Sequence, residues 1–246
     1  MRVTFIGTSH GIPEPHRKCS CIMLEVGDKL YFIDAGTSPI NALIDRGISY
    51  DRVNAIFITH LHGDHVDGLI NFVDLCTWSK IGKQAKTRIF LPEIGAVQGI
   101  EAFLKCTHHG GISPMLSFAE VKEGLIFDDG TIKVTALKTG HMEFAYAYFI
   151  EAEGKKLLFT GDMKHDTGPV DDYARFVTED GLDLAVAECA HFEADLYVEP
   201  LRRHPPKRFV FTHYSPRHIE SCYRVKSLLE GEIQIIIASD DMEIEV

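Results

Sequence analysis

Between Thr59 and His65 the chain sets three imidazoles and one carboxylate within six positions: His60, His62, Asp64 and His65. A divalent cation takes neutral imidazole and carboxylate ligands at about 2.0–2.2 Å from a rigid backbone. His60 and His62, two apart in extended chain, project to one side. Asp64 and His65 fall where a helix starts, and Gly63 permits the turn that aims them at a second point. Four ligand-type residues so close exceed what one tetrahedral ion takes from one loop, so two ions fit better. A solvated histidine-rich turn would leave the rest of the pattern unexplained. Further ligand types recur downstream: His141 in Thr139-Gly140-His141, Asp162 in Thr160-Gly161-Asp162 and His213 in Phe211-Thr212-His213.

These residues need elements that bring them together. Asp34, His60, Asp162 and His213 each stand just past an apolar stretch that reads as a strand, so loops from four strands could converge on one rim. Strands are expected at Val3–Ile6, Ile22–Val26 and Leu30–Ile33, the last two joined at Gly27-Asp28. Others are Ala55–Ile58, Ile89–Leu91, Ile132–Leu137, and Ala145–Ile150 with Lys156–Phe159 around Glu153-Gly154. Leu184–Ala187, Phe209–Phe211 and Ile233–Ile237 complete the set. Helices are expected at Pro39–Arg46, Val66–Trp78, Glu93–Cys106, 195–203 and 216–229. Bunched strands with helices in both halves imply an α/β chain of two sheets with helices outside. No repeat or linker interrupts it, so one domain over residues 1–246 is expected.

The 246 residues are 45% hydrophobic and 25% charged, enough for an unstapled core, and the net charge is −11. That charge argues against nucleic acid as a partner, although a local basic groove can override the sum. The six cysteines, at 19, 21, 76, 106, 189 and 222, show no regular spacing and read as reduced buried thiols. No stretch reaches the length of a membrane span, and Met1 runs straight into a strand pattern. A cytoplasmic protein with no membrane partner is expected.

His60-Leu61-His62-Gly63-Asp64-His65 resembles the His-x-His-x-Asp-His motif of the metallo-β-lactamase superfamily, and the resemblance extends over the whole chain. It implies a four-layer αββα sandwich holding two divalent ions, with zinc expected and manganese or iron also suited to the ligands. By that pattern His60, His62 and His141 would hold one ion, and Asp64, His65 and His213 the other. Asp162 would bridge them, and Asp34 in Phe32-Ile33-Asp34-Ala35-Gly36 would orient the centre from behind. An ion pair of this kind lowers the pKa of a shared water and neutralises charge on the attacked group. Asp64 would orient that water. The resemblance also allows a homodimer.

The motif alone does not choose a substrate. Three further features lean toward phosphodiesters. The opening Phe5-Ile6-Gly7-Thr8-Ser9-His10-Gly11-Ile12-Pro13 and the segment Thr212-His213-Tyr214-Ser215 are similar to the branch holding transfer-RNA 3′-processing nucleases and small cyclic phosphodiesterases. Glu188-Cys189-Ala190-His191 resembles an element of the phosphonate-pathway cyclic phosphodiesterases. Expelling an alkoxide from a phosphodiester calls for a proton, a step worth about 10²–10⁴ in rate. His191, outside the ligand set, would supply it, with Glu188 as its orienting partner; the plainer alternative is a histidine that caps or packs.

Processing nucleases carry a long arm between the third histidine and the bridging aspartate, but His141 and Asp162 are separated by 162 − 141 = 21 positions. Where those nucleases have His-Glu-Ala-Thr, this chain has Ala187-Glu188-Cys189-Ala190. A small phosphodiester is therefore the favoured substrate. A processing-type endonuclease, a lactonase or thioesterase of the same fold, and a metal-keeping sensor are the alternatives. The phosphonate-pathway enzymes add a cysteine-rich zinc loop. Here only Cys19 and Cys21 stand in that region, half a structural site, and no accessory zinc is expected. His108, His109 and His165 could line the pocket or lie in solvated loops. His16, Arg17 and Lys18 could meet a phosphate, although an exposed basic turn is the default.

Overall fold

The computed structural model describes residues 1–79, 86–107, 111–177 and 181–246. Their strands form two seven-stranded sheets. The first runs, in spatial order, β14 (Met242–Glu245), β1 (Arg2–Gly7), β2 (Cys21–Val26), β3 (Lys29–Ile33), β4 (Val53–Phe57), β5 (Arg88–Leu91) and β6 (Ser117–Glu120). The second runs β13 (Gln234–Ile237), β12 (Arg208–Tyr214), β11 (Leu184–Cys189), β10 (Lys155–Phe159), β9 (Tyr146–Ala152), β8 (Ile132–Lys138) and β7 (Gly124–Asp128). Both sheets are mixed. β1 to β3 are antiparallel and β3 to β6 parallel, while β7 to β10 are antiparallel and β10 to β13 parallel.

The residues dictate these elements. Gly27, at φ 60°, opens the two-residue turn between β2 and β3. Glu153 at φ 50° and Gly154 at φ 72° make the turn between β9 and β10, the left-handed pair that matches strand twist. Central strand β11, Leu-Ala-Val-Ala-Glu-Cys, is buried throughout because both its faces are covered.

Three apolar clusters define the layers. Phe5, Tyr31, Phe57 and Phe90 of the first sheet meet Val134, Tyr148, Phe159 and Val186 of the second between the sheets. Outside the first sheet, Phe32 and Ile56 pack on helices α1 (Pro39–Asp45), α2 (Gly63–Trp78) and α3 (Ala96–Thr107) through Leu43, Phe72 and Leu104. Outside the second, Phe209 and Phe211 pack on Tyr173, Tyr197 and Val225. These belong to a π-helix (Pro169–Tyr173) that runs into α4 (Ala174–Phe176), a 3₁₀ turn (Ala194–Tyr197) that runs into α5 (Val198–Arg203), and α6 (Ile219–Leu228). The αββα sandwich expected from the sequence is the observed fold.

Several local readings change. Helix α2 begins at Gly63 rather than near Val66, so Asp64 and His65 occupy its first turn. Strands β6, β7 and β14 escaped the apolar pattern because each has exposed positions at a sheet edge or near one. Cys106 is exposed and Cys19 half-buried, against the reading of six buried thiols, while Cys21, Cys76, Cys189 and Cys222 are buried. Among the described residues, no helix is long and apolar enough to cross a membrane.

Candidate metal centre

Strands β10, β11 and β12 run parallel, and β8 lies antiparallel to β9, itself antiparallel to β10. β8, β10, β11 and β12 therefore end at one rim, delivering His141, Asp162, Glu188 and His213 there. Parallel strands β3 and β4 bring Asp34 and His60 to the same rim from the other sheet. The rims are stitched where Tyr146 N–H donates to Thr59 O at 2.9 Å. Ala35 N–H donates to His65 O at 2.8 Å, and a Cβ on Gly36 would overlap the Asp64 carbonyl. Only glycine lets the first turn of α2 sit this close.

Asp34, at φ 62°, and His213, at φ 45°, hold left-handed backbone, which costs a non-glycine residue about 1–3 kcal/mol and tends to be kept at functional sites. His213 is also not beyond its strand, as its sequence position suggested; it is the penultimate residue of β12.

The seven ligand-type side chains form two groups sharing one residue. In the first, His62 Nδ1 lies 3.0 Å from His60 Nε2 and 3.2 Å from His141 Nε2. Asp162 Oδ2 lies 3.7 Å from His60 Nε2 and 3.8 Å from His141 Nε2. In the second, His65 Nε2 lies 3.3 Å from Asp64 Oδ2, and His213 Nε2 lies 3.7 Å from it. Asp162 Oδ1 lies 3.4 Å from His65 Nε2 and 3.3 Å from His213 Nε2. The two oxygens of Asp162 thus face different groups.

These spacings suit cations. Ligand atoms placed tetrahedrally at about 2.1 Å from an ion are about 3.4 Å from one another. Among the described residues, His65 Nε2 and Asp162 Oδ1 are buried without a hydrogen-bond partner although 3.4 Å apart, as atoms aimed at a common target would be. Burial, reinforced by charge on His65, pushes the His60 imidazole down to about 2, leaving it neutral and available as a ligand. Burial opposes ionisation of Asp162, but His213, His65 and His60 outweigh it and hold its carboxyl well below the usual range.

Behind the groups, Asp34 Oδ2 lies 2.7 Å from His65 Nδ1, and Asp34 Oδ1 accepts from Thr59 N–H at 2.7 Å and Thr59 Oγ1 at 2.9 Å. Glu188, 1% exposed, does comparable work on the other side. Its Oε1 lies 2.9 Å from His191 Nδ1 and accepts from Met163 N–H at 2.9 Å; its Oε2 accepts from Ala190 N–H at 2.8 Å. His191 Nε2 is left facing the centre, 3.8 Å from Asp162 Oδ2. Burial works against charge on His191, but the Glu188 hydrogen bond and the charges of Glu188 and Asp162 raise it to about 9.

The structure also decides among the weaker sequence candidates. His165 is at the centre, its ring stacked on His141 with centroids 5.3 Å apart and 4.2 Å from that of His191. Arg17 is not a free basic group. Its guanidinium lies 3.7 Å over the Tyr214 ring, donates to Tyr214 O at 3.0 Å and pairs with Glu14 at 3.0 Å. His108 and His109 lie outside the described residues. Sequence reading gave no role to His10 or Gly11, yet their loop crosses the second group: a Cβ on Gly11 would be 3.7 Å from Asp64 Oδ2. It also passed over Asp172, which in the sequence is only one of an acidic pair with Asp171.

Fold and ligand-type groups together define a protein of the metallo-β-lactamase fold. The fold is shared with YhfI from Bacillus subtilis, described as a metallo-β-lactamase fold protein, at a TM-score of 0.76 and 19% identity over 100% of this chain and 99% of that one. It is shared too with a diphosphatase of the PhnP family, at a TM-score of 0.71 and 19% identity over 100% and 97%. The family model described as anti-Pycsar protein Apyc1 matches residues 1–221, and the chain belongs to that family. It is also similar to ribonuclease BN of Cronobacter sakazakii, 33% identical over 158 residues, which cover 63% of this chain and 51% of the relative. The chain spans about half the length of the curated relatives it matches.

Proposed function

We propose that this protein is a dinuclear metal-dependent phosphodiesterase acting on small or cyclic phosphodiesters. His60, His62 and His141 would hold one divalent ion and Asp64, His65 and His213 the other, with Asp162 between them. Such ions, when bound, supply Lewis acidity and an activated water. The chain's own residues do the rest. Asp64, at the edge of the second group, is placed to orient the water. His191 donates a proton from Nε2 to the departing oxygen, and Glu188 holds the ring so that Nε2 points inward.

The observation that carries this reading is the Glu188–His191 pair beside Asp162. It provides a half-buried proton donor, oriented by the buried Glu188 carboxylate and separate from the seven side chains assigned to the two ions. Acyl chemistry on a thioester or lactone with a good leaving group has no need of one. The test is to assay the metal-loaded protein on bis(p-nitrophenyl) phosphate, an acyl-thioester and a lactone. Turnover of the phosphodiester well above the other two is expected; background phosphodiester turnover beside robust acyl hydrolysis would remove the proposal.

A second reading is a ribonuclease, favoured by the likeness to ribonuclease BN. Against it, strands β9 and β10 with their two-residue turn occupy most of the interval from His141 to Asp162, leaving no arm there to grip an RNA. The chain's charge of −11 adds repulsion. Assaying a precursor transfer RNA beside cyclic nucleotides separates the two readings.

A further inference from the structure

Asp172 is 3% exposed and lies in the π-helix Pro169–Tyr173. Such turns are rare and recur at functional sites. Its Oδ2 accepts two backbone N–H groups, from Gly140 at 2.9 Å and from Lys164 at 2.7 Å. Gly140 precedes His141, and Lys164 follows Asp162 by two residues. One oxygen therefore joins the loop after β8 to the loop after β10. Arg175, in helix α4 (Ala174–Phe176), lengthens the clasp by donating to Lys138 O at the end of β8 and reaching Asp172 Oδ1 at 3.4 Å.

An independent contact shows how closely the loops meet. A Cβ on Gly140 would stand 2.9 Å from Lys164 Cβ, nearer than side chains tolerate. The gap between His141 and Asp162 is thus fixed by a steric stop on one side and a carboxylate tie on the other. N–H groups bonded to a carboxylate are strongly held, and removing Asp172 would leave both part-buried donors without the oxygen that joins them.

We infer that Asp172 is a positioning residue that sets the spacing of His141 and Asp162, and with it the affinity of the ion position formed by His60, His62 and His141. The inference rests on the dinuclear reading above. Neighbouring Asp171 supplies a contrast: it is exposed and bonds only side chains, Lys164 Nζ at 2.6 Å and Thr167 Oγ1 at 2.9 Å.

The test titrates metal-free full-length protein with Zn²⁺ and with Mn²⁺, reading stoichiometry by equilibrium dialysis and elemental analysis, and follows thermal unfolding of the metal-free forms. Wild type and Asp171→Asn should each bind two ions. Asp172→Ala should weaken one of the two by about 10–100-fold, the range for losing a group that orients a ligand. Asp172→Asn, which keeps an oxygen acceptor, should recover part of that loss, and Gly140→Ala should reproduce it by forcing the loops apart. If Asp172→Ala does not fold, the last two variants carry the test. Two ions bound with wild-type affinities in the Asp172 and Gly140 variants, with only the melting temperature lowered, would mean a structural anchor and overturn the inference. A wild type that takes up no ion would overturn the dinuclear reading beneath it.

Discussion

Asp34 Oδ2 lies 2.7 Å from His65 Nδ1, with both side chains buried. That contact commits one ring nitrogen and presents the other, Nε2, to Asp64 and Asp162. The carboxylate also receives Thr59 N–H and hydroxyl, next to His60, so one residue steadies parts of both ligand groups. Asp34→Ala is expected to lower affinity for the second ion by about 10–100-fold. Metal titration of the purified variant reads this directly, and unchanged affinity for both ions would refute it.

The role given to His191 depends on how badly the leaving group needs a proton. On an alkyl or cyclic nucleotide phosphodiester, His191→Ala should cut kcat by about 10²–10⁴-fold. On bis(p-nitrophenyl) phosphate, whose nitrophenolate departs unaided, the same variant should stay within a few-fold of wild type. Metal content should not change. Equal losses on both substrates would assign His191 to structure instead of proton donation.

Much of this centre was legible in the sequence because its residue types carry their chemistry openly. His60 to His65 sit at a strand-to-helix junction where no core needs imidazoles, and His141, Asp162 and His213 each close an apolar stretch. What stayed hidden acts through backbone. Asp172 works by accepting two N–H groups from segments 32 and 8 positions away, a relation no local pattern encodes. Arg17 read as an exposed basic turn because the Tyr214 ring that covers it is 197 positions distant. β14 was missed as a strand because Met-Glu-Ile-Glu has one buried residue, Ile244, and gains its place by pairing with β1.

A pH effect is expected far from the centre, at Asp129. Its Oδ2 receives Lys29 Nζ at 2.9 Å, Tyr31 OH at 2.8 Å and Asn54 Nδ2 at 2.6 Å, tying the first sheet to the turn between β7 and β8. Partial burial opposes its charge, yet the Lys29 hydrogen bond and the N–H of Ile132 outweigh that and lower its pKa. A carboxyl lowered in the folded state stabilises fully above its unfolded pKa of about 3.9, and that contribution fades as pH falls through the folded value. Asp129→Asn should therefore be less stable than wild type at pH 7, with the gap closing below about pH 4. Urea unfolding of metal-free protein across that range measures it; a gap independent of pH would contradict the assignment.

Cation binding should register as stability as well as activity. Among the described residues, buried His65 Nε2 and Asp162 Oδ1 have no hydrogen-bond partner, so an ion that satisfies them would bind the folded chain and not the unfolded one. At a free concentration 100 times its Kd, one ion adds about 2.7 kcal/mol. For a chain of this length each kcal/mol moves Tm by about 2–4 °C, which gives a rise of about 5–11 °C per ion. Differential scanning calorimetry with and without Zn²⁺ should show that rise in wild type and its loss on adding chelator. Asp162→Ala, which removes the oxygens facing both groups, should melt at the same temperature in either condition. A wild type whose Tm ignores metal would leave the two groups without the occupants their geometry calls for.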